Sequence, residues 1–171
     1  MESVMTVVKA HRLAKEWHGE QMYGDKPYIH HCEMVVRVLE MFEWGDDMEL
    51  LSAALLHDTM EDARITHAKL MDEFSESIAD LVQLVTDKQG RNRRERHERT
   101  YPLIRGNKRA TALKLADRIA NVIQCRLYSN EGLLAMYQKE HNDFKAMLID
   151  PAISCAKLDM MWNYLNNLLA E

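Results

Sequence analysis

The stretch Leu51-Ser52-Ala53-Ala54-Leu55-Leu56-His57-Asp58-Thr59-Met60-Glu61-Asp62 decides the fold of this chain. Its first half is almost continuously apolar, which predicts a helix that is buried on most sides. Its second half brings an imidazole and three carboxylates to the end of that helix. Such groups are costly to desolvate unless cations or a metal compensate them. The stretch therefore predicts a central helix that ends in a metal site.

Helical periodicity continues outward from this stretch over most of the chain. Apolar residues recur at spacings of three and four, and only six glycines and three prolines interrupt the 171 residues. This pattern predicts an all-α fold, a single domain over residues 1–171 with about eight helices. We expect helices at about 3–18, 30–42, 47–59, 66–73, 75–86, 108–126, 131–148 and 152–170. Thr66 and Ser75 are predicted N-caps, and residues 19–27 a loop.

The densely charged segment 87–99 is predicted to be a solvated helix face or a mobile loop. The chain as a whole has a formal net charge of −5, and this balance argues against an extended nucleic acid as a partner. No apolar window approaches the ~18 residues of a membrane span, and we expect no membrane partner. Three cysteines without metal-site spacing favour a reducing cytoplasm. Formation of a homo-oligomer is left open.

Two further motifs bring side chains that can complete a metal site. Tyr28-Ile29-His30-His31 places a histidine pair at the start of a helix, directly after a turn. Lys114-Leu115-Ala116-Asp117-Arg118-Ile119-Ala120-Asn121 carries its polar side chains on one helical face. Imidazoles and carboxylates together form a mixed nitrogen and oxygen site suited to manganese, iron or another first-row ion. Such an ion favours hydrolysis of a phosphate ester or anhydride.

The order of these motifs resembles the HD superfamily of phosphohydrolases, whose signature is a histidine, then a His-Asp pair, then a distant aspartate. It is closer still to the hydrolase domains of RelA/SpoT enzymes and to small alarmone hydrolases. The matching stretches are 27–31, 53–62, 85–87 and 114–121. The resemblance implies a helical HD domain that uses Mn²⁺, or another divalent transition metal. Its implied reaction removes the 3′-pyrophosphate from guanosine tetra- and pentaphosphate (ppGpp and pppGpp), so the partner is a nucleotide substrate.

The resemblance also assigns roles residue by residue. The implied metal ligands are His31, His57, Asp58 and Asp117. His30 is then the variable position of the histidine pair. Glu61 and Asp62 are the implied catalytic carboxylates, which we expect to position and deprotonate the attacking water and to pass a proton to the leaving group.

Substrate contacts are predicted from the same resemblance and from neighbouring positions. They are Asn121, Tyr23, Lys26, Lys88, Arg91, Arg94, Tyr137 and His141. By the resemblance, Asn121 contacts the nucleotide sugar, and the three basic residues after the Thr-Asp pair reach the distal phosphates. Two roles are open for Tyr23 and Lys26: Tyr23 stacks on a base and Lys26 reaches a phosphate, or both are ordinary loop residues. Alarmone hydrolases usually carry an Arg-Lys pair in this loop, whereas this chain has no arginine there. The late i, i+4 pair of Tyr137 and His141 is a candidate lining of the base pocket.

Three functions follow from these patterns. The leading hypothesis is an alarmone hydrolase that converts guanosine tetraphosphate to guanosine diphosphate and pyrophosphate. The altered loop at Tyr23 favours a rival, an HD-type nucleotide phosphohydrolase acting on deoxynucleoside mono- or triphosphates. The third is a catalytically silent module that binds a nucleotide or a partner protein and keeps the metal for structure. The acidic pair Glu61 and Asp62 argues against this third function, because unneeded buried carboxylates are expensive to keep.

Overall fold

The chain is helical almost throughout in a computed structural model that describes residues 2–170. Its α-helices are α1 (Glu2–His18), α2 (Ile29–Met41), α3 (Met48–Leu56), α4 (His67–Glu73), α5 (Glu76–Val85), α6 (Arg93–Ile104), α7 (Lys108–Leu127), α8 (Glu131–Leu148) and α9 (Ala156–Ala170). Two short strands, β1 (Met22–Tyr23) and β2 (Lys26–Pro27), form an antiparallel hairpin between α1 and α2. Within residues 2–170 this hairpin is the only sheet, so the all-α prediction is confirmed.

The predicted helices agree with the structure to within a few residues at most ends. Thr66 and Ser75 cap α4 and α5 as predicted, each accepting a bond from a backbone N–H three residues later. The predicted end of the central helix was wrong, because α3 stops at Leu56 and the chain then turns. The start of the last helix was also misplaced, since Pro151–Ile153 forms a 3-10 turn before α9.

Helix α6 is the element that the prediction of about eight helices lacked. Asn92 caps it by accepting a bond from the backbone N–H of Glu95. Its buried side chains are His97, Thr100, Tyr101 and Ile104, and these follow the i, i+3, i+4, i+7 pattern of a helix face. The charged segment is therefore the solvated side of a helix and the loop that precedes it.

The chain divides into two compact units, one ending at Thr86 and the other starting at Asp87. In the first unit α3 packs against α1, α2 and α5, and every side chain from Leu50 to Leu56 is buried. The prediction of a central helix is thus confirmed for this unit. In the second unit α7 packs against α8 and α9, and α6 packs against α8. The prediction of a single domain stays a prediction.

The most apolar helix, α3, has nine residues, which is less than half the length that crosses a bilayer. In the described part of the chain no helix combines the length and the apolarity of a membrane span.

Two glycines give opposite predictions for stability. An added Cβ at Gly90 would come within 2.9 Å of the Arg96 backbone nitrogen and 3.2 Å of the Glu95 carbonyl carbon. Because backbone atoms cannot swing aside, we expect Gly90→Ala to lower the free energy of unfolding by about 1–3 kcal/mol.

Gly132 lies in the first turn of α8, and an added Cβ there meets nothing within 4 Å. Gly132→Ala should therefore raise the free energy of unfolding by about 0.5–1 kcal/mol.

Urea denaturation of these two variants and the wild type measures both effects. A Gly90→Ala protein as stable as the wild type would contradict the close packing of the loop on α6.

Candidate metal centre

The candidate metal centre begins where α3 ends. His57 is the C-cap residue of this helix, and residues 57–63 turn instead of continuing the helix. The His57 Nδ1 lies 2.8 Å from the carbonyl oxygen of Ala54. Because a carbonyl oxygen only accepts hydrogen bonds, Nδ1 carries the proton and Nε2 presents its lone pair. The end of α3 therefore fixes the tautomer that a metal ligand needs.

His31 reaches the same place from the first turn of α2. Its imidazole ring lies with its centroid 5.2 Å from that of His57, and each side chain is 2% exposed. Asp58 completes the group, with Oδ2 3.0 Å from His57 Nε2 and 3.7 Å from His31 Nε2. The structure thus brings together three of the four predicted ligands.

The chemistry of these three side chains fits a divalent ion. One ligand atom from each residue lies within 4.8 Å of the other two. Ligand atoms about 2.1 Å from an ion lie roughly 3.0–3.5 Å apart, which is close to the distances that separate Asp58 Oδ2 from the two imidazoles. The carboxylate oxygen and the His57 lone pair are both electron-rich, and a cation between them removes their repulsion. The group is therefore a candidate divalent metal site.

Tyr28 supports the Asp58 carboxylate. The phenol donates a hydrogen bond of 2.6 Å to Asp58 Oδ2. Its ring stacks on the buried ring of His18 with centroids 4.5 Å apart, and its backbone N–H donates to the Gln21 carbonyl at 2.9 Å. The end of α1 and the hairpin thus hold a phenol in place against a predicted metal ligand.

We expect Tyr28→Phe to weaken Mn²⁺ affinity about tenfold, because loss of a hydrogen-bond partner of a metal ligand typically has an effect of this size. The phenylalanine ring can still stack on His18, so the fold should be kept. Calorimetric titration with Mn²⁺ measures the change. Tyr128→Phe is the matched control, since Tyr128 is 51% exposed at the end of α7. Unchanged affinity in Tyr28→Phe would show that the phenol does not support the site.

The hairpin carries two predicted substrate contacts in different surroundings. The Tyr23 ring lies 4.7 Å from the His31 ring, tilted by 35°, and 6.0 Å edge-on from the Tyr28 ring. Tyr23 is half-buried, whereas Lys26 is exposed on β2. Tyr23 therefore packs on a predicted metal ligand, and its contact with a base stays a prediction.

The predicted catalytic carboxylates lie in the turn that follows Asp58. The backbone N–H groups of Glu61 and Asp62 both donate to the Asp58 carbonyl, at 3.1 and 2.9 Å. The hydroxyl of buried Thr59 donates to the Leu56 carbonyl at 2.7 Å and ties the turn to α3. Both acids have exposed side chains, so the turn holds them near a predicted ligand and open to solvent. The expectation that these two carboxylates are buried was therefore wrong, because the chain leaves the buried helix α3 at Leu56 and continues as a turn. Their catalytic role stays a prediction.

The sequence analysis predicted neither the support of Asp58 by Tyr28 nor the contact of Gln21 with a predicted catalytic acid. The Gln21 Nε2 donates to Asp62 Oδ2 at 2.8 Å, and the Gln21 Oε1 lies 2.8 Å from the Nδ1 of His18. Gln21 and Asp62 are 41 positions apart, so no periodicity or capping pattern indicates their contact.

The fourth predicted ligand, Asp117, lies near the middle of α7 in the second unit. Its Oδ1 accepts a hydrogen bond of 2.6 Å from Asn121 Nδ2, and its Oδ2 lies 3.7 Å from Lys114 Nζ. These contacts place the three polar side chains on one face of α7, as the spacing predicts. Metal binding by Asp117 and sugar binding by Asn121 stay predictions.

Arg118 is a buried cation inside the second unit. Its guanidinium carbon lies 4.7 Å from the ring centroid of Tyr137 and 4.3 Å from that of Phe144. Glu140 pairs with it at 3.4 Å and with Arg93 at 2.9 Å. Burial raises the pKa of Tyr137 to about 12, so this phenol is protonated at neutral pH. The predicted base contact Tyr137 is thus also part of the surroundings of Arg118.

The basic residues predicted to reach phosphates belong to α6 and the loop before it. Arg91 pairs with Glu95 at 3.0 Å and Arg94 with Glu98 at 2.8 Å, in each case four residues along the chain. The backbone N–H of Lys88 donates to a threonine hydroxyl of α6 at 2.8 Å. The two arginine side chains are highly exposed, so these pairs exchange readily with solvent or an anion. Their phosphate contacts stay predictions.

Two histidines of the second unit differ in their surroundings. His141, a predicted base contact, has its Nε2 2.7 Å from the Asn166 side-chain oxygen. His97 is buried and stacks on Tyr101 with ring centroids 4.5 Å apart. Burial and then the nearby arginines lower the pKa of His97 to about 3, so it is neutral at neutral pH. The contact of His141 with a base stays a prediction.

Comparisons with curated proteins agree on one family. A family model described as the HD domain matches residues 10–139. The protein named guanosine-3′,5′-bis(diphosphate) 3′-pyrophosphohydrolase MESH1 of Danio rerio is 30% identical over 151 residues, which cover 86% of this chain and 84% of that protein. A guanosine-3′,5′-bis(diphosphate) 3′-pyrophosphohydrolase of Aquifex aeolicus (strain VF5) is 37% identical over 121 residues. That alignment covers 68% of this chain but 17% of the longer relative.

Solved structures show the same fold. One, described as "A metazoan ortholog of SpoT hydrolyzes ppGpp and plays a role in starvation responses", matches with a TM-score of 0.72 and 21% identity, over 95% of this chain and 94% of that chain. Another, lmo0812 of Listeria monocytogenes EGD-e, has a TM-score of 0.64 at 24% identity, over 82% of this chain and 99% of that chain. These likenesses concern the fold, and the family follows from the sequence match over most of the chain and from the Danio rerio relative. The chain belongs to the HD domain family.

Proposed function

We propose that this chain is a metal-dependent hydrolase that removes the 3′-pyrophosphate from guanosine tetra- and pentaphosphate. The observation that carries the proposal is the group of His31, His57 and Asp58, followed directly by the exposed acids Glu61 and Asp62. The name of the Danio rerio relative supports the substrate, since this chain covers 84% of that protein. The Aquifex aeolicus relative, of which the chain spans 17%, carries the same activity in its name.

The proposed ion is Mn²⁺, with Asp117 as the fourth ligand. The mixed nitrogen and oxygen donors support a first-row ion, and another divalent transition metal is the alternative. Asp117 is supported by its motif and by its hydrogen bond with Asn121, which orients the carboxylate on α7. When bound, the ion lowers the pKa of water and polarises a phosphoryl oxygen.

Proton transfer, orientation of the ligand Asp58 and substrate binding are assigned to separate side chains of this chain. In our proposal Glu61 takes the proton from the attacking water, and Asp62 receives that proton and passes it to the leaving group. Tyr28 keeps Asp58 oriented through its 2.6 Å hydrogen bond. The proposed substrate contacts are Asn121, Tyr23, Lys26, Lys88, Arg91, Arg94, Tyr137 and His141. The proposed compartment is the cytoplasm, which the free state of all three cysteines supports.

One observation favours a second candidate function. The hairpin lacks the arginine that alarmone hydrolases usually carry, and Tyr23 packs on the His31 ring. A site changed in this way suits a deoxynucleoside mono- or triphosphate on the same scaffold.

A nucleotide panel separates these functions. Protein loaded with Mn²⁺ is incubated with guanosine tetraphosphate, guanosine pentaphosphate, and deoxynucleoside mono- and triphosphates, and the products are followed by ³¹P NMR. Pyrophosphate released from the two alarmones alone is the expected result. Orthophosphate or triphosphate released from deoxynucleotides would select the second candidate, and binding without turnover would select a silent module. Metal-free protein treated with a chelator is the control for background hydrolysis.

A further inference from the structure

We propose that Gln21 is a positioning residue for the reaction, because its side-chain amide holds Asp62 and buried His18 fixes the direction in which that amide points. The inference rests on the proposed function, in which Asp62 moves a proton. His18 is the last residue of α1 and Gln21 follows shortly after it. Neither is a predicted metal ligand or a predicted substrate contact.

The direction of each hydrogen bond follows from the groups involved. A carboxylate oxygen accepts hydrogen bonds, so Gln21 turns its NH₂ group to Asp62 Oδ2 at 2.8 Å. The amide oxygen of Gln21 then faces His18 Nδ1, also at 2.8 Å, and that nitrogen carries the proton. The chain of donors and acceptors therefore has one consistent direction, from His18 through Gln21 to Asp62.

His18 is well suited to fix this direction. It is 6% exposed, and its ring stacks on Tyr28 with centroids 4.5 Å apart. The Nε2 of His18 is buried and has no hydrogen-bond partner among the described residues. Its hydrogen bonding is therefore directed to Gln21.

The backbone of Gln21 is fixed as firmly as its side chain. Its N–H donates to the His18 carbonyl at 3.0 Å, and its carbonyl accepts from the Tyr28 N–H at 2.9 Å. Asp62, in contrast, is exposed in a turn, where a carboxylate samples several rotamers. Holding a proton-transfer group in one orientation before the substrate arrives raises the rate of the chemical step. A fixed amide beside an exposed acid is an arrangement that performs this task.

Steady-state kinetics on the full chain test the proposal. We expect Gln21→Ala to lower kcat about tenfold or more, with KM changed by less than about twofold and bound metal unchanged. His18→Phe keeps the stacking on Tyr28 but loses the Nδ1 donor, so its loss in kcat should be smaller, about threefold. Gln83→Ala, an exposed glutamine change on α5, is the matched control and should keep full activity.

A double-mutant comparison separates positioning from a general structural role. If Gln21 acts through Asp62, then Gln21→Ala has no further effect on the residual activity of Asp62→Asn. An equal fold-loss in both backgrounds would overturn the inference.

Crystal structures of the wild type and Gln21→Ala give a readout that needs no activity. We expect the Asp62 carboxylate to leave its wild-type position in the variant, and an unmoved carboxylate would overturn the inference. A wild-type protein without turnover on any nucleotide would instead overturn the proposed function, and the crystal structures would still decide whether Gln21 holds Asp62.

Discussion

Asp58→Ala should lose bound metal and turnover together, with activity reduced by about a thousandfold or more. The reason is that Asp58 Oδ2 is the shared atom of the site: it lies 3.0 Å from His57 Nε2 and 3.7 Å from His31 Nε2. Without this carboxylate the two imidazoles keep no anionic partner in the three-residue group. Elemental analysis of the purified variant, together with alarmone hydrolysis, measures both losses.

Asp46→Ala is the matched control, because Asp46 is an exposed aspartate in the turn before α3. Circular dichroism of both variants tests whether the helices are kept. If Asp58→Ala retains a full equivalent of metal, the ion binds elsewhere and the candidate centre is wrong.

Glu61→Gln should keep the metal and lose turnover by about 10²–10⁴-fold. The amide has the shape of the carboxylate but cannot take a proton from water, and general base catalysis typically contributes a factor of this size. Metal should stay because Glu61 is exposed and lies outside the group formed by His31, His57 and Asp58. Single-turnover hydrolysis with metal-loaded protein measures the chemical step directly.

Glu20→Gln, a change at another exposed glutamate, is the control for lost surface charge. Full activity of Glu61→Gln would remove Glu61 from the mechanism. Loss of metal along with activity would instead make Glu61 part of the metal site.

The sequence was most informative where local patterns and burial agree. The apolar run before His57 predicted the central helix, and every side chain from Leu50 to Leu56 is buried. Helix α6 was not predicted because its charges dominate the segment 87–99. Its buried face starts at His97 and ends at Ile104, largely beyond that segment, so a longer window would have contained the helical pattern.

The site was predictable in its motifs but not in its supporting contacts. The order of motifs led to His31, His57 and Asp58, which the structure brings together. The hydrogen bond of Tyr28 to Asp58 spans 30 positions, and that of Gln21 to Asp62 spans 41. Contacts of this range depend on how α1, the hairpin and α3 pack, and no local propensity encodes that packing.

The packing of Arg118 restrains the orientation of α7 and limits which substitutions α8 tolerates. Consecutive residues of an α-helix are about 100° apart around its axis, so α7 cannot rotate at Asp117 without pulling the Arg118 guanidinium away from Tyr137 and Phe144. The rings of Tyr137 and Phe144 therefore restrain α7 from rotating about its own axis. A substitution at Tyr137 or Phe144 would remove one of these two rings and loosen the turn of α7 that carries Asp117.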